Sequence, residues 1–346
     1  MIVEGSLRSL ILFDVADAIR LDQLQSLLQE SNVEPVRGFA RSAPEYVRFE
    51  RPPVIEPYLG GHVKYYDYGV ISVEADVPFS GSWDTLLETT SRWVAEPGAE
   101  KEAYEILHGR LERIQEALVK PYPQWLSEDY YIVLVQPGEC TAQQLLERYG
   151  SSIAQIVRGE SRPLSQDERD DVLKARISYY PDDLLVVGWT AAFVYDTPSS
   201  APATLQLLEY ANTQLLEYRR YDDLLTRVLE EVYKQLDLGT GVLARWRMAS
   251  RSKRLNTIRL DIIEISERTD NAIKFLSDMF YARLYKLAAS RVGVPDYRAL
   301  VDEKLRTAGE LYQFMVDQFQ QGRAFVLELM VVVILVIELG FLFRGK

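Results

Sequence analysis

The chain has 346 residues, of which 26% are charged and 47% hydrophobic, values that exclude a disordered chain and a membrane protein with many spans. Its formal net charge of −12 argues against nucleic acid as a general partner, because phosphates would be repelled by most of this surface. One cysteine, Cys140, cannot form an internal disulfide, and two histidines, His62 and His108, leave no cluster with the spacing of zinc ligands.

The first two hundred residues repeat one pattern four times: an apolar run of β-forming residues, a turn, and a helix that opens with paired leucines. The pairs are Leu27-Leu28, Leu86-Leu87, Leu145-Leu146 and Leu207-Leu208. In the last three units Pro78, Pro137 or Pro198 follows the strand and is expected to stop its ladder, because proline has no N–H to donate. We predict about four strands with helices on one face, an α+β head over residues 1–200, and we expect it to be ferredoxin-like.

Local signals mark some of the helix boundaries. Two segments fit the capping box, in which a hydroxyl accepts from a first-turn amide and a Glu or Gln side chain reaches back. They are Thr141 with Gln144 and Ser165 with Glu168. Residues 98–123 predict one helix that ends at its two prolines, and residues 31–61 predict a long irregular connection that we interpret as a binding loop.

From about Ala203 the apolar period becomes helical and remains so. A first long helix is predicted to end at Gly239 and Gly241, and a second at Gly293, from where a third continues toward the C-terminal apolar stretch. Because so short a turn joins the last two, they are expected to lie antiparallel. We predict a long helical stalk over residues 201–322.

The last stretch of the chain predicts a transmembrane helix. Residues 324–343 are apolar except for Glu328, Glu338 and Gly340, and a helix of this length rises far enough to cross a bilayer core of roughly 30 Å. Its Leu, Ile, Val and Phe residues favour insertion by roughly 7 kcal/mol, more than two off-centre carboxylates oppose it. We therefore predict a tail-anchored protein with one C-terminal span in residues 323–346. A buried core helix or a coiled-coil tail is the alternative.

The two carboxylates of this stretch need an explanation, because ionised groups in membrane helices usually face protein or water. Ten residues at about 100° each place Glu328 and Glu338 roughly 80° apart, on one side of a helix. We predict that this side faces a partner helix in a homo-oligomer. In the alternative, the two side chains reach opposite interfaces.

The densest basic segment of the chain is expected to lie at the membrane surface. It comprises Arg245, Trp246, Arg247, Arg251, Lys253 and Arg254. An antiparallel hairpin centred near residue 294 would bring this segment close to the level where the span begins, and there anionic headgroups attract basic side chains and Trp prefers the interface. A solvated loop and an RNA contact are the alternatives. The same charges predict a head in the cytoplasm.

A stripe of polar residues follows one face of the second long helix. It consists of Asn271, Lys274, Asp278, Tyr281 and Tyr285. We predict a buried hydrogen-bonded network that fixes the register of the helices, and a ligand site is the alternative.

Three short motifs resemble those of a known family. They are Asp67-Tyr68-Gly69-Val70 in the second unit, Pro295-Asp296-Tyr297 before the last helix, and Arg323 followed by Leu327-Glu328 and Ile337-Glu338. In these motifs the chain resembles a distant branch of the uncharacterised domain family that includes the required-for-meiotic-nuclear-division proteins, although it lacks that family's usual tryptophans. The resemblance implies an α+β head, a helical stalk and one C-terminal membrane helix, without known catalytic residues. It also implies that mitochondrial members are inner-membrane oligomers that support organellar translation.

No catalytic motif stands out. The sequence contains no GxSxG, no P-loop, no GxGxxG after a strand and no paired His and Cys, so we predict no catalytic residues, metal or cofactor. We predict a non-enzymatic membrane scaffold whose head binds a protein partner and which forms a homo-oligomer. The alternatives are an enzyme or small-molecule sensor in the head, and a channel-like ring of helices lined by Glu328 and Glu338.

Overall fold

The computed structural model describes residues 2–31, 33, 36–37, 52–95, 98–238, 260, 263, 279–311, 313, 331, 332 and 334. The chain forms two compact units. The first comprises Met1–Arg220 and Ile265–Tyr297, and the second Tyr221–Glu264 and Arg298–Lys346. All of the described strands belong to the first unit.

One mixed sheet forms the centre of the first unit. Its strands are β1 (Val3–Ile19), β2 (Val36–Arg37), β3 (Val54–Tyr58), β4 (Gly61–Tyr65), β5 (Val70–Gly81), β6 (Leu118–Val135), β7 (Arg176–Ile177), β8 (Leu184–Val187) and β9 (Ala191–Tyr195). Their order is β2-β3-β4-β5-β1-β6-β9-β8-β7. Among these described strands, β6 and β9 pair in parallel and the other neighbours pair antiparallel. The long strand β1 is therefore central and antiparallel to both of its neighbours.

Helices follow four of the described strands, β1, β5, β6 and β9. The helices are α1 (Leu21–Glu30), α2 (Trp83–Ala95), α3 (Gly98–His108), α4 (Leu111–Ile114), α5 (Ala142–Arg158), α6 (Gln166–Lys174), α7 (Ala201–Leu238) and α8 (Met279–Val292), and residues 294–311 are also helical. The capping box of Thr141 and Gln144 at the start of α5 is confirmed, and Gly159, with φ +68°, ends that helix. The Ser165 hydroxyl accepts from the Glu168 N–H at 3.2 Å and so caps α6.

Alternation along β1 separates the two faces of the sheet. On one face, Ile11 and Phe13 pack with residues of α1, α3 and α4, and Leu7 packs with residues of α2, α5 and α6. On the other face, Leu12 packs with Leu216 of α7. The sheet is thus covered by short helices on one side and by the first half of α7 on the other.

Buried ion pairs join α7 to its face of the sheet. The Lys64 ammonium lies 2.5 Å from a carboxylate oxygen of Glu209 on α7 and 2.7 Å from one of Glu74 on β5, and the three side chains are 14%, 1% and 7% exposed. Burial alone would lower the pKa of Lys64, but the two carboxylates reverse this and raise it. Burial would likewise raise the pKa of Glu74, whereas Lys64 and Arg8 lower it to about 2. Lys64 and Glu74 are therefore both charged inside the fold at neutral pH.

The predicted sheet of about four strands is wrong, and so is the ferredoxin-like arrangement. The second and fourth sequence units each contain a hairpin: β4 and β5 turn at residues 66–69, and β8 and β9 turn at residues 188–190. The helix predicted over 98–123 ends at α4 and a short 3-10 turn, and Pro121 and Pro123 lie inside β6. Pro121 pairs with Ala16 just after a register shift in the β1–β6 ladder, a place where a missing N–H is tolerated.

The predicted stalk is also wrong. Residues 203–218 of α7 are all buried, and Glu209 among them bonds to Lys64 of the sheet. A regular spacing of polar side chains marks a solvent-facing stripe on most helices. On α7 that stripe faces ionic and hydrogen-bonding groups of the sheet instead.

The predicted C-terminal transmembrane helix requires the same correction. Across the described residues, no helix combines the length and the apolar character needed to cross a bilayer. Of residues 324–343, the structure describes Val331, Val332 and Ile334, and the rest of that stretch lies outside the described residues. The tail-anchored, single-pass interpretation, with its head in the cytoplasm, is therefore withdrawn. Insertion arithmetic counts apolar residues and takes no account of the conformation that they adopt.

The turn between β4 and β5 depends on a glycine. Gly69 has φ +92°, and a Cβ placed on it would lie 1.8 Å from the carbonyl oxygen of Ala16 in β1. Its own carbonyl accepts from the Val15 N–H at 3.1 Å, which fastens the turn to the central strand. Gly60, in the β3–β4 turn, has a similar φ of +95° but nothing within 4 Å of that position.

We expect Lys64→Met to lower the free energy of unfolding by about 3 to 5 kcal/mol, because Glu74 and Glu209 lose the cation that they share in the interior. Urea denaturation measures the change. The control is Lys120→Met. Lys120 pairs with Asp17, but its side chain is largely exposed, so loss of this pair should cost less than about 1 kcal/mol. Equal losses in the two variants would contradict the role given to Lys64.

We expect Gly69→Ala to destabilise the protein by about 3 kcal/mol or more, since the new methyl group meets backbone atoms and the positive φ adds strain. Gly60→Ala carries the same φ strain without the collision and should cost about 1 kcal/mol. Thermal unfolding of both variants separates the two effects. The expectation fails if both melting temperatures fall by the same amount.

Candidate functional site

Most of the predicted site residues lie outside the residues that the structure describes. These are Glu328, Glu338, Arg245, Trp246, Arg247, Arg251, Lys253, Arg254, Asn271, Lys274 and Asp278. Of the two that are described, Tyr285 is buried and packs against Tyr210 of α7, with ring centroids 5.7 Å apart. Tyr281, one turn earlier on α8, lines an open cleft of the first unit.

This cleft, called the tyrosine cleft below, has a volume of about 220 Å³. It lies between the β7–β8 turn, the end of β9, the first turns of α7 and the start of α8. Aliphatic side chains contribute to its lining, and among them Leu184 and Leu284 are almost fully buried. Aromatic rings and polar groups provide the rest.

Four aromatic rings follow one another along the cleft. The centroids of Tyr179 and Tyr180 are 4.7 Å apart, those of Tyr179 and Phe280 are 4.9 Å apart, and those of Phe280 and Tyr281 are 5.4 Å apart. All three contacts are edge-to-face, a favourable geometry for aromatic pairs. Tyr179 and Tyr180 are nevertheless 53% and 62% exposed. Adjacent exposed tyrosines are typical of binding surfaces rather than of a folded core.

The turn that carries these tyrosines is held by its own hydrogen bonds. The Asp183 carboxylate accepts from the backbone N–H groups of Tyr179, at 2.7 Å, and Tyr180, at 2.9 Å. The Ser178 hydroxyl donates to the carbonyl of Tyr180, and the carbonyl of Pro181 accepts from an N–H at the start of α5 at 2.7 Å. Asp and Ser side chains favour such turns because they can bond to backbone nearby in sequence. The exposed rings therefore stand on a fixed backbone.

Asp196 provides the strongest electrostatic feature of the cleft. It follows β9, is about half-buried, and accepts from the Thr197 N–H at 2.6 Å. Burial raises its pKa to about 6, the Thr197 N–H opposes the shift, and the neighbouring charges of Asp183 and Asp182 add to it. Within the described ranges, none of these three carboxylates forms an ion pair. Among the described residues, negative charge thus accumulates at the cleft without a paired cation.

One further polar group lies at the cleft. The Thr204 side chain, in the first turns of α7, is only 6% exposed and lines the cavity. Its hydroxyl has no hydrogen-bond partner among the residues that the structure describes. This hydroxyl is therefore available to water or to a ligand in the cleft.

A second cleft, of about 400 Å³, lies on the face of the sheet that the short helices cover. Ile11 and Val73 of the sheet, Trp93 of α2 and Glu102 of α3 contribute to its lining. Tyr58 also lines it, and its hydroxyl donates to a backbone carbonyl of β5 at 2.9 Å. The larger cleft therefore offers an apolar floor with few polar groups that converge on one point.

The lining of the tyrosine cleft shows which groups a ligand would meet. Among the described residues, no group of three or more His, Cys, Asp or Glu side chains could hold a metal ion. The described lining of the cleft consists of carboxylates, hydroxyls, aromatic rings and aliphatic side chains, and includes no His, Cys or Lys. Carboxylates, hydroxyls and rings around an open space can hold a bound group by hydrogen bonds and by contact area.

Sequence analysis did not identify this site, although one signal was present. The segment Ser178-Tyr179-Tyr180-Pro181-Asp182-Asp183 joins two aromatic residues to Pro and two acids. Pro and Asp predict a turn, and tyrosines in a turn have no sheet or helix face in which to be buried. The combination could have been interpreted as an exposed aromatic surface.

Comparison with known proteins gives one family. Residues 4–201 match the family model described as "Uncharacterized protein MJ0711, N-terminal domain". The chain is also 20% identical, over 189 residues, to the uncharacterized protein MJ0711 of Methanocaldococcus jannaschii. That alignment covers 55% of this chain and 58% of the relative, so the chain spans less than two thirds of the relative's length. The family match includes the sheet together with Tyr179 and Tyr180 of the cleft, and it ends where α7 begins, so Tyr281 lies outside it.

We expect Asp196→Asn to stabilise the protein at pH 7.5 and to have little effect at pH 4. The pKa of Asp196 is raised from 3.8 to about 6, so the folded state holds a proton that the unfolded state releases, and stability falls as pH rises through that window. Asn carries no charge and can still accept from the Thr197 N–H. Because the Asp196 side chain is half-exposed, solvent reduces the expected gain in the free energy of unfolding to about 1 kcal/mol. Urea denaturation at the two pH values measures it.

Asp170→Asn is the control for this experiment, because Asp170 is exposed and paired with Arg169. Its replacement should give no gain in stability at either pH. A loss of stability in Asp196→Asn at pH 7.5 would contradict the electrostatic account of the cleft.

Proposed function

This chain belongs to the family of the uncharacterized MJ0711 N-terminal domain, and we propose that its first unit is a non-enzymatic domain that binds a protein partner at the tyrosine cleft. The observation that carries the proposal is the pair of exposed rings, Tyr179 and Tyr180, held on a backbone fixed by Asp183. Exposed aromatic side chains on a rigid turn have the properties of interface anchors.

Rigid tyrosines suit protein recognition for an energetic reason. A tyrosine has two side-chain torsions and a large ring, so it buries much area for little loss of conformational entropy. The bonds that fix the turn remove most of the backbone entropy that binding would otherwise cost. Partner binding therefore starts from an ordered surface.

The size of the cleft supports a side chain as its occupant. Pockets for drug-sized molecules are typically about 300 to 1,000 Å³, and the tyrosine cleft has about 220 Å³. A space of this size, open beside exposed rings, fits one inserted side chain with the rest of the partner on the surface around it.

A small-molecule sensor is the second candidate function. It is favoured by the larger cleft of about 400 Å³, which lies within the usual range for ligand pockets. Its polar groups do not converge as those of a ligand site generally do, and its tyrosine, Tyr58, is already bonded to backbone. We therefore place it second.

Two earlier predictions remain predictions. Self-association as a homo-oligomer is one. Kinship with the family that includes the required-for-meiotic-nuclear-division proteins is the other, since the family match shows an uncharacterised domain family without that link.

Peptide display on the full chain tests the proposal. Random twelve-residue peptides are selected on the wild-type protein and their affinities are measured for Tyr180→Ala. We expect binders whose affinity falls at least about tenfold in that variant, because truncating an interface anchor commonly costs more than 1 kcal/mol. Tyr233→Ala, which removes an equally exposed ring on α7, should leave the affinity unchanged. Selection that yields no peptide dependent on Tyr180 would refute the proposal.

A further inference from the structure

We propose that the tyrosine cleft receives the cationic end of an Arg or Lys side chain, so that the partner presents a basic segment. This inference rests on the proposed function, because it names the chemistry of the partner at the same site. It is carried by three features of the described lining: carboxylates without a counter-ion, aromatic rings, and a hydroxyl without a protein partner.

The carboxylates of the cleft differ from others inside the same unit. Four buried carboxylates elsewhere are paired with cations: Asp14 with Arg220, Glu56 with Arg110 and Arg113, Glu74 with Lys64 and Arg8, and Glu209 with Lys64. Asp196 is half-buried and has Asp182 and Asp183 as charged neighbours, with no ion pair among the described residues. A cation at this point would relieve repulsion that the fold leaves uncompensated.

Aromatic rings give the cation a second source of attraction. The faces of Tyr and Phe rings carry partial negative charge and attract ammonium or guanidinium groups that lie within about 6 Å of the ring centroid. Tyr179, Tyr180 and Phe280 line the same cleft as Asp196. This chain already uses such a contact elsewhere, where the Arg220 guanidinium lies 3.9 Å from the centroid of Tyr122. Rings beside carboxylates favour an organic cation over a metal ion, which needs a cage of oxygen ligands.

Thr204 supplies an observation that does not depend on charge. Its side chain is 6% exposed, lines the cleft, and has no hydrogen-bond partner in the described part of the chain. A guanidinium group carries several N–H donors in a fixed fork and an ammonium carries three, so either can donate to Asp196 and to Thr204 together. A neutral apolar side chain would donate a hydrogen bond to neither group.

The inference is tested with the peptides that require Tyr180. The tightest of them is expected to contain Arg or Lys, and replacing each Arg by citrulline, or each Lys by acetyl-lysine, keeps most of the shape and removes the charge. We expect one such replacement to weaken binding at least about tenfold, measured by isothermal titration calorimetry. Asp196→Asn should weaken binding of the charged peptide to a similar extent, and Asp170→Asn should not.

The pH dependence provides a further measurement. Asp196 loses its charge as pH falls through about 6, and the groups that face it are the Asp182 and Asp183 carboxylates and the Thr197 N–H. Affinity for the charged peptide should therefore fall about tenfold between pH 7.5 and pH 5. The Asp196→Asn variant should show a much smaller change.

The two proposals fail in different ways. Peptides that need Tyr180 but contain no basic residue, or bind equally well after the charge is removed, would overturn the basic-segment inference and leave the proposed function standing. A complete lack of peptides that depend on Tyr180 would overturn both. Because Asp196→Asn is expected to stabilise the fold at pH 7.5, lost binding in that variant cannot be attributed to unfolding.

Discussion

The first unit depends on one ammonium group held inside it. Lys64 of β4 lies between Glu74 of β5 and Glu209 of α7, so a single charge joins two neighbouring strands to the helix that covers them. Removing three charged groups from water is expensive and is repaid only when the partners sit at close to ideal positions. The ion pairs therefore specify where α7 lies along the sheet more strongly than apolar contacts could, because a shift by one turn would leave charges unpaired.

Two further contacts fix the same helix at other points. The Tyr68 hydroxyl donates to Thr213 at 2.9 Å, and Arg220 pairs with Asp14 of the central strand. With three attachments spread over three turns, the helix cannot slide or rotate independently of the sheet. The tyrosine cleft benefits from this, because its polar wall is formed by the end of β9 together with the first turns of α7. The position of Thr204 relative to Asp196 is thus set by ion pairs formed further along the helix.

The sequence predicted the order of neighbouring strands and helices better than it predicted which elements pack together. β1 with α1 and β6 with α5 follow the expected strand-to-helix order, and the capping box at Thr141 is present, because these features depend on residues close in the chain. The hairpins were missed since their turns, such as the one at Gly69, interrupt runs that remain apolar on both sides. The stalk was predicted because Glu209 and its polar neighbours on α7 look like a solvated stripe until Lys64 is known to lie opposite. The membrane span was predicted from a count of apolar residues, and such a count contains no information about conformation.

The tyrosine cleft could not have been predicted from the periodicity of apolar residues in the sequence. Its walls come from residues 177–204 and 280–284, two segments that a sequence pattern does not place together. The turn at residues 178–183 could be recognised as exposed and aromatic. Whether a cation pairs with Asp196 depends on the fold, and none does so among the described residues. The composition gave only the net charge of the whole chain, and this number does not show where the negative charge is concentrated.

The hydrogen bonds of the β7–β8 turn have an evolutionary consequence. They involve the backbone of Tyr179, Tyr180 and Pro181 and the side chains of Ser178 and Asp183, and none of them uses a tyrosine ring. The rings can therefore be exchanged for other side chains without altering the loop that displays them. Related chains that retain this loop can diversify in what they recognise while keeping one inherited scaffold, and natural selection can adjust affinity there with little penalty to folding.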